Sequence, residues 1–167
     1  MKAGKAISAD LISDTKAIEL YPCYGANGLR GYAPFTNQLG PMVLIGRQGA
    51  LCGNVAYANG AFYATDHAVI VKDKGVNHPK YIYHILTHAN LNQYKTAGAQ
   101  PGLSVARLEK IAIPIPPLEL QEKIVSILDR FEALVNDLSQ GLPAEIAAVK
   151  EQYEYYRNKL LTFKQLA

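Results

Sequence analysis

Apolar and polar positions along the chain fall into two regions with different periods. Over residues 1–117 the apolar runs are brief and closely punctuated. Met42–Ile45, Asn54–Tyr57 and Ala68–Val71 are apolar or β-branched runs of strand length. Glycines and the Asn59-Gly60 pair separate them, and that pair is a strong hairpin signal. The period then changes. Tyr81, Ile82, Ile85, Leu86 and Leu91 recur at the spacing of one helix face, with Pro79 at the start. After the glycine- and proline-marked loop TAGAQPGLS, Leu108, Ile111, Ile113 and Ile115 stand mostly two residues apart. That spacing predicts a further strand, which the proline-rich PIPP closes. The stretch YPCYGANGLRGYAPF, residues 21–35, fits neither period and reads as an aromatic, glycine-broken loop. Residues 1–117 therefore predict a small globular α+β domain of short strands and helices.

From residue 118 the grammar is helical. Ile124, Ile127, Phe131, Leu134 and Leu138 are spaced 3-4-3-4, and Leu128 and Val135 widen the stripe. Past Gly141-Leu142-Pro143, the set Ile146, Val149, Tyr153, Tyr156, Leu160 and Phe163 runs 3-4-3-4-3. This is a heptad seam, the pattern that packs helices side by side. At 1.5 Å per residue each half reaches roughly 30 Å. Residues 118–167 thus predict a coiled-coil-forming spacer or dimerisation region with a break near 141–143, as two helices or one kinked helix. A stripe of this kind can also lie on its own domain. Its length favours a helix–helix or partner-binding role.

Composition sets the class. Apolar residues make up 49% and charged residues 19%, which is globular and not disordered. No apolar run approaches the ~20 residues that span a bilayer, and the opening MKAGKAISADLISD has no signal-peptide core. Cys23 and Cys52 form no CxxC pair, so a reduced, cytoplasmic protein is expected. The net charge of +3 is unevenly held: residues 1–117 carry 11 Lys+Arg against 6 Asp+Glu, and residues 118–167 carry 6 against 8. A surplus of positive charge on the first domain is a modest hint of an anionic partner.

Catalytic patterns are thin. Asp66-His67 would point to opposite faces of a strand and suits a turn or strand edge better than an acid–base pair. Cys52 beside Gly53 reads as a small buried thiol before it reads as a nucleophile. His84 and His88 have an i, i+4 ligand spacing, and His78 lies nearby, yet the glutamate of an HExxH motif is missing, so no metal site is expected. There is no P-loop. The glycines of GANGLRG follow no apolar strand that would make a dinucleotide-binding turn.

Three polar, glycine-rich loops suit a nucleic acid better. In the first, Arg30 can offer parallel donors to guanine, Asn27 can pair with adenine, and Tyr24 and Tyr32 can stack or bond to phosphate. Arg47 and Gln48 occupy the second, IGRQGA, and Lys95, Gln100 and Ser104 surround the third. Each loop alone is accounted for as a turn between strands. Together, on a basic domain, they make a candidate DNA-reading surface.

Taken in order, YPCYGANGLRGY, VLIGRQGALCGNVAY with FYATDHAVIV, AGAQPGLSVARLEKIAIPIPPLELQEKIVSILD and GLPAEIAAVKEQYEYYRNKLLTF resemble the target-recognition domain and helical region of type I restriction–modification specificity subunits. The resemblance covers essentially the whole chain and is most specific in its last two stretches. It implies a non-catalytic reader of double-stranded DNA. Such a reader docks onto a modification subunit, which holds S-adenosylmethionine and methylates adenine, and onto a restriction subunit that cleaves. No cofactor is implied for the chain itself. Family members carry two recognition domains and two helical regions, and this sequence has one of each, so a half-subunit or a fragment is expected. A half-subunit implies a homodimer through the helices. Two other readings stand beside this one: a helical decoy that sequesters partner subunits, and a cysteine hydrolase built on Cys52 and His67.

Overall fold

The computed structural model describes residues 1–97 and 101–133, together with residues 145, 151, 152 and 155. Eight strands form two four-stranded sheets. The first has the order β1-β8-β5-β6, from β1 (Lys2–Ala3), β8 (Ala68–Val71), β5 (Met42–Gly46) and β6 (Val55–Ala58). All its pairs are antiparallel. The second has the order β3-β2-β7-β4, from β3 (Gly28–Ala33), β2 (Tyr21–Gly25), β7 (Ala61–Ala64) and β4 (Gln38–Leu39). Here β2 and β7 run parallel. The helix α1 (Pro79–His88) and the single turn α2 (Val105–Leu108) follow.

The unbroken apolar runs of β5 and β8 have a packing cause. Val43, Ile45 and Val69 face a cluster that holds Tyr81, Ile82 and Leu86 of α1, with Leu91, Leu103 and Leu108. Leu44 and Ile70 point the other way, onto Ala58, Phe62 and Ala64. Side chains alternate along a strand, so a sheet covered on both faces needs apolar residues at consecutive positions. The helix reading holds for Tyr81, Ile82 and Leu86, the buried residues of α1, which Pro79 opens, and Ile85 packs on the same core; Leu91 falls past the end of α1, in a 3-10 turn.

Three expectations fail locally. Residues 21–35 are no open loop, because β2 and β3 pair as an antiparallel hairpin. The turn lies at Ala26-Asn27, and Gly28 closes it with a φ of 83° that a side chain would resist. The Asn27-Gly28 pair was the available signal. Asn59-Gly60 bends the chain between β6 and β7 but makes no hairpin, since those strands belong to different sheets. The strand expected from Leu108 to Ile115 is absent: Leu108 ends α2, and residues 111–117 take no regular structure. Ile111 and Ile113 do pack on the core. Pro114, Pro116 and Pro117 lack the N–H groups that a strand ladder needs.

The chain divides into two compact units, Met1–Val125 and Ser126–Ala167. Residues 118–133 are helical. The first unit runs past Pro117 because Gln121 and Val125 are buried in it. The Gln121 side chain accepts from His78 N at 2.9 Å and donates to Asn77 Oδ1 at 3.1 Å and to Pro116 O at 2.8 Å. Ile124 packs on the same core. In the second unit Ile127 and Phe131 are 54% and 61% exposed. Leu134, Leu138, Ile146, Val149, Tyr153, Tyr156 and Leu160, with the break at 141–143, lie outside the described residues. No helix among the described residues is long and apolar enough to cross a membrane.

Candidate functional site

The three polar loops singled out in the sequence are knit together by backbone contacts. Gly46 ends β5 directly beneath the β2–β3 turn, where a Cβ would overlap Ala26 O. Only glycine lets the two backbones meet that closely. The Arg47-Gln48 turn is joined to the third loop, since Leu103 N donates to Arg47 O at 2.8 Å and Gly49 N to Pro101 O at 3.0 Å. Gln48 and Gly102 form a β-bridge. On the other side, Asn92 Nδ2 donates to Ala50 O at 3.0 Å and to Cys52 O at 2.6 Å, pinning the loop that follows Arg47.

Two clefts result, and Ala50 lines both. One, of about 720 Å³, brings together Arg47, Gln48, His67, Thr96 and Ser104. Arg47 N donates to His67 O at 2.9 Å, and the Arg47 Nε is buried with no hydrogen-bond partner among the described residues. Ser104 is the N-cap of α2, and its hydroxyl accepts from Arg107 N at 3.2 Å. The other cleft, of about 430 Å³, is lined by Asn27, Asn54, Asn90 and Asn92 among others. Lys95 Nζ donates to Asn92 Oδ1 at 2.9 Å, which ties that cation to the same wall.

The remaining hairpin residues sit differently. The Tyr24 ring packs edge-on against Phe62, with centroids 5.6 Å apart. Burial pushes its phenol above the ordinary value, and Tyr32 adds to the shift. Tyr32 is half-buried on β3, and its backbone bridges to Ser13 at 2.8 Å. Arg30 is exposed, with its stem near Gly25, and makes no hydrogen bond or ion pair to a described residue. None of these three lines either cleft. Gln100 lies outside the described residues.

The residues of the catalytic alternatives lie in turns. Cys52 is buried at 0% exposure, its own carbonyl held by Asn92, so its thiol faces no solvent. Asp66 and His67 occupy a turn, as expected, but their side chains do not point apart: imidazole and carboxylate lie 3.6 Å from each other on the surface. Among the described residues no group of three or more His, Cys, Asp or Glu is placed to hold a metal ion. Sequence reasoning passed over Asn54, Asn92, His67 and Thr96 as members of this face. The asparagines were visible only as isolated polar residues in LCGN and HANLN.

A basic α+β domain that presents one polar, loop-built face defines a recognition module, and comparison with known proteins gives its kind. The model of the type I restriction modification DNA specificity domain matches residues 1–148. The chain belongs to the type I restriction–modification specificity family. The EcoprrI type I restriction enzyme specificity subunit of Escherichia coli is 45% identical over 141 residues, which is 84% of this chain and 35% of that protein. A putative type I restriction enzyme specificity subunit of Haemophilus influenzae is 35% identical over 152 residues, 87% of this chain and 40% of that one. The chain therefore spans well under half the length of these relatives. The crystal structure of a type I system S subunit from M. genitalium shares the fold with a TM-score of 0.67, covering 94% of this chain and 42% of that one at 17% identity.

Proposed function

We propose that this chain reads a short double-stranded DNA sequence for a type I restriction–modification complex and performs no chemistry itself. The observation that carries the reading is the cleft where the three loops meet, lined by Ala26, Arg47, Gln48, Thr96 and Ser104. An arginine guanidinium in such a cleft suits a phosphate or a base acceptor. Arg47, Gln48 and Ser104 share the cleft, Asn27 and the Lys95-bearing wall flank it, and Arg30 projects from the hairpin as an uncommitted fork of donors. Direct readout of base edges uses arginine, asparagine and glutamine side chains on a rigid frame. Family membership supports the same reading.

The partners follow from the family. A modification subunit supplies S-adenosylmethionine and methylates adenine where the reader places it, a restriction subunit cleaves, and the complex works in the cytoplasm. The heptad spacing read in the sequence from residue 118 onward supports pairing of the helical region with a second helical partner. Exposed Ile127 and Phe131 are consistent with a homodimer through those helices. Such a dimer presents two recognition regions.

Fluorescence anisotropy with labelled duplexes tests the reading. The chain alone binds weakly and with a shallow salt slope, because few cations face the DNA. Adding the modification subunit tightens binding and introduces sequence preference. Tight binding that remains indifferent to sequence would overturn the proposal.

A further inference from the structure

The asparagine-lined cleft has a chemistry of its own. Asn27 sits in the β2–β3 turn and Asn54 just before β6, and both are exposed. Asn54 Nδ2 donates to Asn27 Oδ1 at 3.1 Å. That bond holds the Asn27 amide in one orientation and still leaves it one carbonyl lone pair and both Nδ2 hydrogens. An acceptor and a donor side by side on a fixed amide match adenine, whose major-groove edge offers N6–H and N7. Leu51, 60% exposed, lines the same cleft as the two asparagines. An exposed leucine beside an adenine-reading amide suits the C5-methyl group of the paired thymine. The site is preorganised from behind, since Asn92 holds the Ala50 and Cys52 carbonyls on either side of Leu51.

We propose that Asn27, oriented by Asn54 and flanked by Leu51, reads one A·T base pair of the target through the major groove. Asn27 and Leu51 touch the base pair, and Asn54 is a positioning residue. The proposal rests on the DNA-reading function above and adds to it which base pair this cleft accepts and by which atoms.

The test uses the full chain with its modification subunit and duplexes selected from a randomised pool. Wild-type protein selects a motif, and in that motif Asn27→Ala and Asn54→Ala both relax the same A·T position. Each lowers discrimination there by about tenfold to a hundredfold, the range of a good bidentate contact. Replacing that adenine by 7-deazaadenine weakens wild-type binding and leaves the Asn27→Ala variant unaffected. Replacing the thymine by deoxyuridine, which lacks the methyl group, weakens wild type but not Leu51→Ala. Thermal melting of each variant separates these effects from loss of fold, and the two base analogues need no variant at all. The inference is overturned if Asn54→Ala keeps full discrimination, if the relaxed position is G·C, if affinity falls equally for every sequence, or if wild type ignores both analogues. Should wild-type protein select no motif, the DNA-reading function itself fails, and this inference with it.

Discussion

Arg30 and Arg47 differ in what surrounds them, and that difference sets their expected roles. Arg30 stands exposed on β3, free to swing its fork of donors, whereas Arg47 is half-buried at the base of a cleft with His67 and Ser104. Arg30→Ala is expected to reduce discrimination at one base pair by about 1–3 kcal/mol, the cost of a lost bidentate contact to guanine. Binding titrations against a panel of single-base variants measure it. An equal loss for every sequence would make Arg30 a phosphate anchor. The two thiols give a second test at this scale. Cys23 and Cys52 are fully buried, and burial pushes the Cys23 thiol up while Arg30 opposes the shift. Both are expected to react with a thiol-directed reagent only as fast as the domain opens, so a rapid burst in native protein would reinstate a reactive cysteine.

Elements owe their accuracy in this sequence to how completely a local rule decides them. β5, β8 and α1 were legible because double-sided burial and a proline start leave one pattern each. The β2–β3 hairpin was not, because tyrosines, Pro22 and three glycines masked the alternation and drew attention from Asn27-Gly28. Asn59-Gly60 gave the bend but could not say which sheet each flanking strand joins, a question of tertiary pairing. The candidate face was legible in its loops but not in its assembly. Gly46 under Ala26, and Asn92 under Ala50, are contacts between segments far apart in the chain. Gly46→Ala is therefore expected to destabilise the domain by about 1–3 kcal/mol or more, as overpacking does, and to displace Asn27 with it. Denaturant titration gives the first effect, and an unchanged midpoint would refute it. Gln121 was hidden too, as a polar residue in an apolar helical stripe. Gln121→Leu leaves the His78 N–H and the Pro116 carbonyl without their partner and is expected to cost on the order of 1–3 kcal/mol. A neutral result would mean that those groups find other partners.

At the scale of the whole molecule, the proposed pairing of two readers sets the symmetry of the target. Exposed Ile127 and Phe131 should drive two copies together, and light scattering at tens of micromolar, on the order of the concentrations that populate such dimers, should give twice the chain mass. Ile127→Asp with Phe131→Asp should return a monomer, and a wild-type monomer would remove the homodimer from the model. Two identical readers related by a two-fold axis require an interrupted palindrome, because duplex DNA has two-fold axes across its length. The unread gap should be no more than about one helical turn, roughly 34 Å. A bipartite target without symmetry would mean pairing with a different half-subunit. The claim on which all of this depends is that the chain directs adenine methylation by reading sequence. Genome-wide mapping of methylated adenines, after co-expression with the modification and restriction subunits, tests it most directly. The account predicts methylation confined to one interrupted palindrome, absent without this chain and relaxed at one position by Asn27→Ala. Methylation at the same sites with and without the chain would contradict it.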